Sequence, residues 1–204
     1  MTAANRTLVL AVRRLRSLRG ECEATQIVEF AVTLPLLMAL AVGIFDFGNA
    51  YNLKQRLTNA AREGARLGAS QPTSDLSNPP PASVLAVRDV VDHYLTAARI
   101  NDCGLGSATA TASGAAAPWS WTFTGACAGG IGNLVLTVNR GNVFTSPSVK
   151  VPGALVPLKV ISTQVTLQYP YHWQFSRVAS LLVAGASFPG TSNLTVTSTM
   201  PNQS

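Results

Sequence analysis

The sequence has little of what catalytic centres are usually built from. Its 204 residues include two histidines, His93 and His172, and three cysteines. There is no H-E-x-x-H, no paired C-x-x-C and no P-loop pattern, so zinc, dithiol redox and nucleotide-phosphate chemistry lack sequence support. A nucleophile triad needs a histidine beside a Ser or Cys. His93 follows Asp92 on an amphipathic segment and reads as a surface residue; His172 sits in "YPYHWQF" and reads as aromatic packing. The expectation is a protein that is not an enzyme, with no cofactor, no metal and no small-molecule substrate. Charge is also scarce, at 12% of residues, while 47% are hydrophobic, on the apolar side of soluble norms. The net charge of +6 is unevenly placed. Arg6, Arg13, Arg14, Arg16 and Arg19 precede one apolar run, and Lys54, Arg56, Arg62 and Arg66 follow it. Beyond Ser70 six basic residues face four acidic ones, which makes nucleic acid an unsuitable partner for that part.

What the chain does have is a long hydrophobic run. From Phe30 to Phe45 no residue is charged, and with Ile27, Val28 and Phe47 the segment reaches the roughly 20-residue length that spans a bilayer. It reads as one transmembrane helix, with Pro35 tolerated inside it as a point of kinking. The preceding arginines predict a cytoplasmic N-terminus, an asymmetry that Lys54 and Arg56 reduce. Glu29 and Asp46 mark the ends of the run. An ionised carboxylate deep in hydrocarbon costs roughly 2.5–3.5 kcal/mol on insertion scales, so Glu29 calls for a partner or a task. Two plainer readings stand beside this one. One is a secretory signal cut after Ala39-Leu40-Ala41, although apolar character continues through "VGIFDFGNAY". The other is an ordinary single-span anchor with Glu29 at the interface. In a chain that crosses a cell envelope, Cys103 and Cys127 reach the oxidising side, where pairing is favoured. The alternative is two unpaired residues in loops, and spacing does not decide between them.

The order of parts before the run is informative: a basic leader, a small residue, four residues, then a glutamate followed by an aromatic. In "RRLRSLRGECEATQIVEF" these are Ala24, "TQIV" and Glu29-Phe30. This resembles the type IVb prepilin signal, which implies that a prepilin peptidase cuts between Ala24 and Thr25. The resemblance extends through "VEFAVTLPLLMALAVGIFDFGNAYNLKQRLTNAAREGARLGA", residues 28 to 69, which is similar to the TadE-like pseudopilins of the tight-adherence (Flp pilus) machinery. The Glu-Phe pair, "LPLL", "GIFDFGNAY" and "AAREGARLGA" carry it, and "VTLQYPY" and "NLTVTSTMPNQ" are similar to the later strand and end pattern. Ala24 stands where the family has Gly. Cutting after Gly20 instead would put Thr25, not Glu29, fifth in the mature chain. The resemblance implies that Glu29, one helical turn beyond Thr25 on the same face, neutralises the ammonium that cleavage creates, on its own chain or a neighbour's. It also implies a minor pseudopilin, a structural component in assembly or priming of a pilus or secretion filament. Its partners would be other pilin or pseudopilin subunits, the prepilin peptidase and the bacterial inner membrane, with the C-terminal part periplasmic or extracellular.

After the span, "NLKQRLTNAAREGARLGAS" places Leu53, Leu57, Ala60, Ala61, Gly64 and Gly68 on one narrow stripe and Lys54, Arg62 and Arg66 on another face. Small residues let another backbone approach closely. The stripe serves either the protein's own sheet or a seam between subunits, and the basic face is either solvated or set against anionic headgroups. "SQPTSDLSNPPPAS" reads as a linker. Val84, Val87, Val91, Leu95 and Ala98 then line one face of a second helix, with Ser83 as its N-cap. "GLGSATATASGAAAP" reads as a low-complexity loop. Strand patterns follow in "WSWTFT", "LVLTVNR", "KVISTQVTLQY" and "NLTVTSTM", with turns at 125–132, 147–157 and 185–190. The expected boundaries are a cytoplasmic basic leader at 1–24, a transmembrane helix at 25–50, its extramembrane continuation at 51–69, a linker at 70–83 and an exported α+β domain at 84–204. The expected class is α+β: a long N-terminal helix continuing into a small antiparallel-sheet domain with one further helix, which is pilin-like by resemblance. Trp119, Trp121, Tyr169, Tyr171 and Trp173 read as core; exposed, they would suit a membrane-anchored adhesion or partner-binding module.

Overall fold

A computed structural model describes residues 3–77, 80–113, 119–151, 154–176 and 190–203. The class is α+β. Helix α1 runs from Ala3 to Ser70 with Pro35 inside it, and α2 covers Ala82–Ala97. The strands are β1 (Thr111–Ser113), β2 (Ser120–Ala126), β3 (Asn133–Val151), β4 (Ala154–His172) and β5 (Thr191–Pro201). They form one antiparallel sheet in the order β1-β2-β3-β4-β5. By contact density the chain divides into two units, Met1–Asp46 with Gln174–Phe188, and Phe47–Trp173 with Pro189–Ser204.

In the second unit, strand alternation sorts the sheet into two faces. Phe123, Leu136, Leu167 and Val196 lie opposite one another across four strands, and all are buried. The next row is Thr122, Thr137, Thr166 and Thr197, where Thr122 and Thr137 share a hydroxyl contact of 3.5 Å and Thr166 and Thr197 one of 3.1 Å. A period of two therefore puts aliphatic and aromatic side chains inward and hydroxyls outward. The inward face is covered by Leu57, Ala60, Ala61 and Ala65 of α1 and by Val84, Val87, Val91 and Leu95 of α2, all buried in the same core.

Three local readings differ from the observed structure. Ser83 does not cap α2: the N-cap is Pro81, and the Ser83 amide and hydroxyl instead donate to the Asp75 carboxylate at 2.7 and 3.1 Å. Asp75 belongs to a 3-10 turn, Ser74–Ser77, within the linker segment. The low-complexity segment holds a 3-10 turn at Leu105–Ser107 and β1, which pairs Thr111 with Thr122. The hairpin between β3 and β4 is longer than the turn expected at 147–157 allowed, since pairing reaches Val151 opposite Ala154. From Asn142–Ser162 outward, this ribbon extends past Asn139, the last β3 residue paired with β2, and Ser162, the last β4 residue paired with β5. Residues 185–189 of the turn expected at 185–190 lie outside the described residues.

Candidate functional site

The N-terminal half of α1 holds one stretch long and apolar enough to cross a membrane, with a mean hydropathy of 2.3 in its best window. Ile27, Phe30, Val32, Leu36, Leu37, Leu40, Ile44 and Phe45 are exposed along it, as lipid-facing side chains are. One face differs. Pro35, Val42 and Gly43 are half-buried, and Ala39, Asp46 and Ala50 are buried, at the three-to-four spacing of a helical stripe. Asp46 is 3% exposed, and its Oδ2 accepts the Phe175 amide at 2.9 Å. Phe175 and Ser176 have helical backbone, so the Phe175 amide is one of the donors that a helix start leaves without an intrahelical acceptor. Sequence reading marked Asp46 only as the end of the span, because its partner lies 129 residues away.

Ala24 and Thr25 both lie within α1, and Thr25 and Glu29 are exposed, one turn apart on the helix. The small-residue stripe beyond the span is used inside the chain. Leu57 and Ala61 are wholly buried and Leu53 packs against the same core. A Cβ on Gly64 would come within 2.8 Å of Val91 Cγ2, and one on Gly68 within 2.8 Å of Thr163 Cγ2. Glycine is required at both because α2 and β4 approach the α1 backbone closely. Lys54, Arg62 and Arg66 are exposed on the opposite face, Arg66 in an ion pair with Glu63 at 2.9 Å.

A disulfide joins Cys103 to Cys127, tying the loop after α2 to the end of β2. Cys103 has φ of 53°, a conformation side chains rarely adopt, and its amide donates to Asn101 Oδ1 at 2.9 Å. Nearby, burial and then the charge of Asp102 raise the pKa of Asp92 above the usual aspartate range.

Arg140 is the functional-looking residue that pattern reading missed. Arg140 falls on the inward parity of β3, in line with Leu134, Leu136 and Val138, and is fully buried where pairing with β4 shifts register between Asn139 and Asn142. Its Nη2 donates to Gln71 O at 2.7 Å and its Nη1 to Pro72 O at 3.2 Å, just past the end of α1. A cation beside helix-terminal carbonyls is favoured by both hydrogen bonding and the helix dipole. Burial lowers the Arg140 pKa, and the charge of Asp75 partly opposes that. Asn202 reinforces the site: its Nδ2 donates to Arg140 O at 3.3 Å and its Oδ1 accepts the Thr163 hydroxyl at 2.7 Å. The Gln203 amide donates to Ala69 O at 3.0 Å.

Of the aromatic residues, Trp121 and Tyr169 are in the core, whereas Trp119 is 44% exposed. Trp173 stacks at a tilt against Phe47, with centroids 5.2 Å apart, and edge-on against Tyr171 at 4.8 Å. His93 is exposed and His172 half-buried. Among the described residues no group of three or more His, Cys, Asp or Glu is placed to hold a metal ion.

Residues 25–66 match the family model described as TadE-like protein, a range that takes in "VEFAVTLPLL" and the "AAREGAR" part of "AAREGARLGA". No curated protein and no solved structure matches the chain. The matched region contains the apolar helix and most of the stripe that packs on the core.

Proposed function

We propose that this protein is a minor pseudopilin, a structural component that helps assemble or prime a tight-adherence type pilus or secretion apparatus. On this reading residues 1–24 are a cytoplasmic leader removed by prepilin peptidase, 25–50 the span in the inner membrane, 51–69 its continuation and 70–83 a linker. Residues 84–204 are then the exported domain. The observation that carries the reading is the start of the family match at Thr25, the residue that a cut after Ala24 would leave first. The exposed Glu29 carboxylate, one turn on, is available to the new ammonium of its own chain or of a neighbouring subunit. Adhesion through tryptophans is the poorer reading, because Trp121 is 1% exposed and belongs to the core.

The test is the N-terminal sequence and intact mass of the protein from native membranes, with and without prepilin peptidase. A peptidase-dependent start at Thr25 supports the proposal. An uncut chain, or a start after Ala41, overturns it.

A further inference from the structure

Asp46 and Trp173 raise a question that neither pilus association nor processing answers. A carboxylate near the end of an apolar span is costly in lipid, yet Asp46 does not reach outward toward water: it is 3% exposed and holds the Phe175 amide at 2.9 Å. The Phe175 ring lies over Gly43, where a Cβ would stand 3.6 Å from its Cδ2 and Cε2. Gly43 is four residues, about 6 Å of helix, nearer the middle of the span than Phe47. Counting about 20 residues of hydrocarbon thickness from Ile27 sets the far boundary at Phe47. Phe175 is therefore inside that boundary. Trp173 touches Phe47, which marks the boundary itself, and its polar edge is turned to protein: Nε1 donates to Ser192 Oγ at 2.6 Å. Phe47 and Tyr51 are exposed at 67% and 64% on the adjoining helix surface. Trp and Tyr collect where one end of a ring meets hydrocarbon and the other meets polar groups.

We infer that the chain leaving β4 re-enters the bilayer at the Phe47 end of the span, with Trp173 in the interface, Phe175 among the acyl chains and Asp46 as the latch that receives the re-entering backbone. The partner is the lipid leaflet continuous with the span. Asp46 then satisfies a backbone donor that hydrocarbon would leave unsatisfied, which explains an acid at that depth. The inference rests on α1 crossing the membrane and on nothing about filaments or processing.

The experiment uses the full chain in nanodiscs of lipids brominated either near the headgroup end or deep in the acyl chain. Tryptophan fluorescence is compared between the wild type, Trp173→Phe and Trp119→Phe. Quenching by the shallow bromines is expected to be largely lost in Trp173→Phe and kept in Trp119→Phe. In a Trp173→Phe background, Phe175→Trp should restore it and add quenching by the deeper bromines. Asp46→Ala should weaken the quenching of Trp173 and expose it to aqueous acrylamide. Bromolipid quenching unchanged by Trp173→Phe, with acrylamide reaching Trp173 in the wild type, would overturn the inference. Flotation of the chain with vesicles, run alongside, separates failure of the span from failure of re-entry.

Discussion

Arg140 is where the packing argument is most exposed to test. Replacing it with Met keeps most of the stem volume and removes both donors, so the question is whether two charge-assisted bonds outweigh the cost of burying a guanidinium. The bond to Gln71 O, at 2.7 Å to a half-buried residue, sits where a charged hydrogen bond is worth about 1.5–3 kcal/mol. The bond to Pro72 O is 3.2 Å long and Pro72 is exposed, so water replaces it at little cost. Relief of the buried charge returns part of the loss. The net expectation for Arg140→Met is a loss of about 2 kcal/mol, or a Tm lower by about 6 °C for a domain of this size. Thermal unfolding of the full chain by near-ultraviolet circular dichroism measures it. Amide exchange should also accelerate in the last turn of α1 while the β3–β4 ladder stays protected. An unchanged or raised Tm would mean that desolvation cancels the bonds and that Arg140 does not hold the helix end.

Other outcomes follow from the same structure. Glu29→Gln should leave membrane insertion intact and impair assembly; normal recovery of assembled pili from that mutant would remove the charge-pairing role. The pKa of Asp92 is raised, so between the usual aspartate value and the raised one the folded domain binds more protons than the unfolded chain, and stability falls as pH rises through that window. Asp92→Asn should flatten that limb of a Tm-against-pH curve, and an unaltered curve would count against the assignment. Cys103→Ser opens a loop of 24 residues and should cost about 3 kcal/mol. Reductant should lower the wild-type Tm to the mutant's and leave the mutant unmoved.

The helices were the most legible part of the sequence because their signal is local. Val84, Val87, Val91 and Leu95 repeat at helical spacing, and all four are fully buried. The inward row of Phe123, Leu136 and Leu167 was visible as alternation for the same reason. The illegible parts depend on partners far away in the chain. Arg140 stands in line with the inward Leu134, Leu136 and Val138, but its acceptors, Gln71 O and Pro72 O, lie 69 and 68 residues away; Ser83 looks like a cap until Asp75 appears eight residues upstream. Asp46 gives no local sign of Phe175. Polar residues that satisfy a distant backbone group leave no periodicity behind them.

The bond from Gln203 to Ala69 has a consequence in time. Synthesis delivers α1 first, yet the residues that cover its far end arrive more than a hundred positions later, after β4 and β5 have been made. Until the strands follow, Leu57, Ala61 and Ala65 have only α2 beside them. Contacts of such long sequence separation form slowly, and an apolar stripe left uncovered meanwhile is open to other chains. Emerging copies of this protein should therefore need a holding chaperone, and their yield should fall steeply when synthesis outpaces folding.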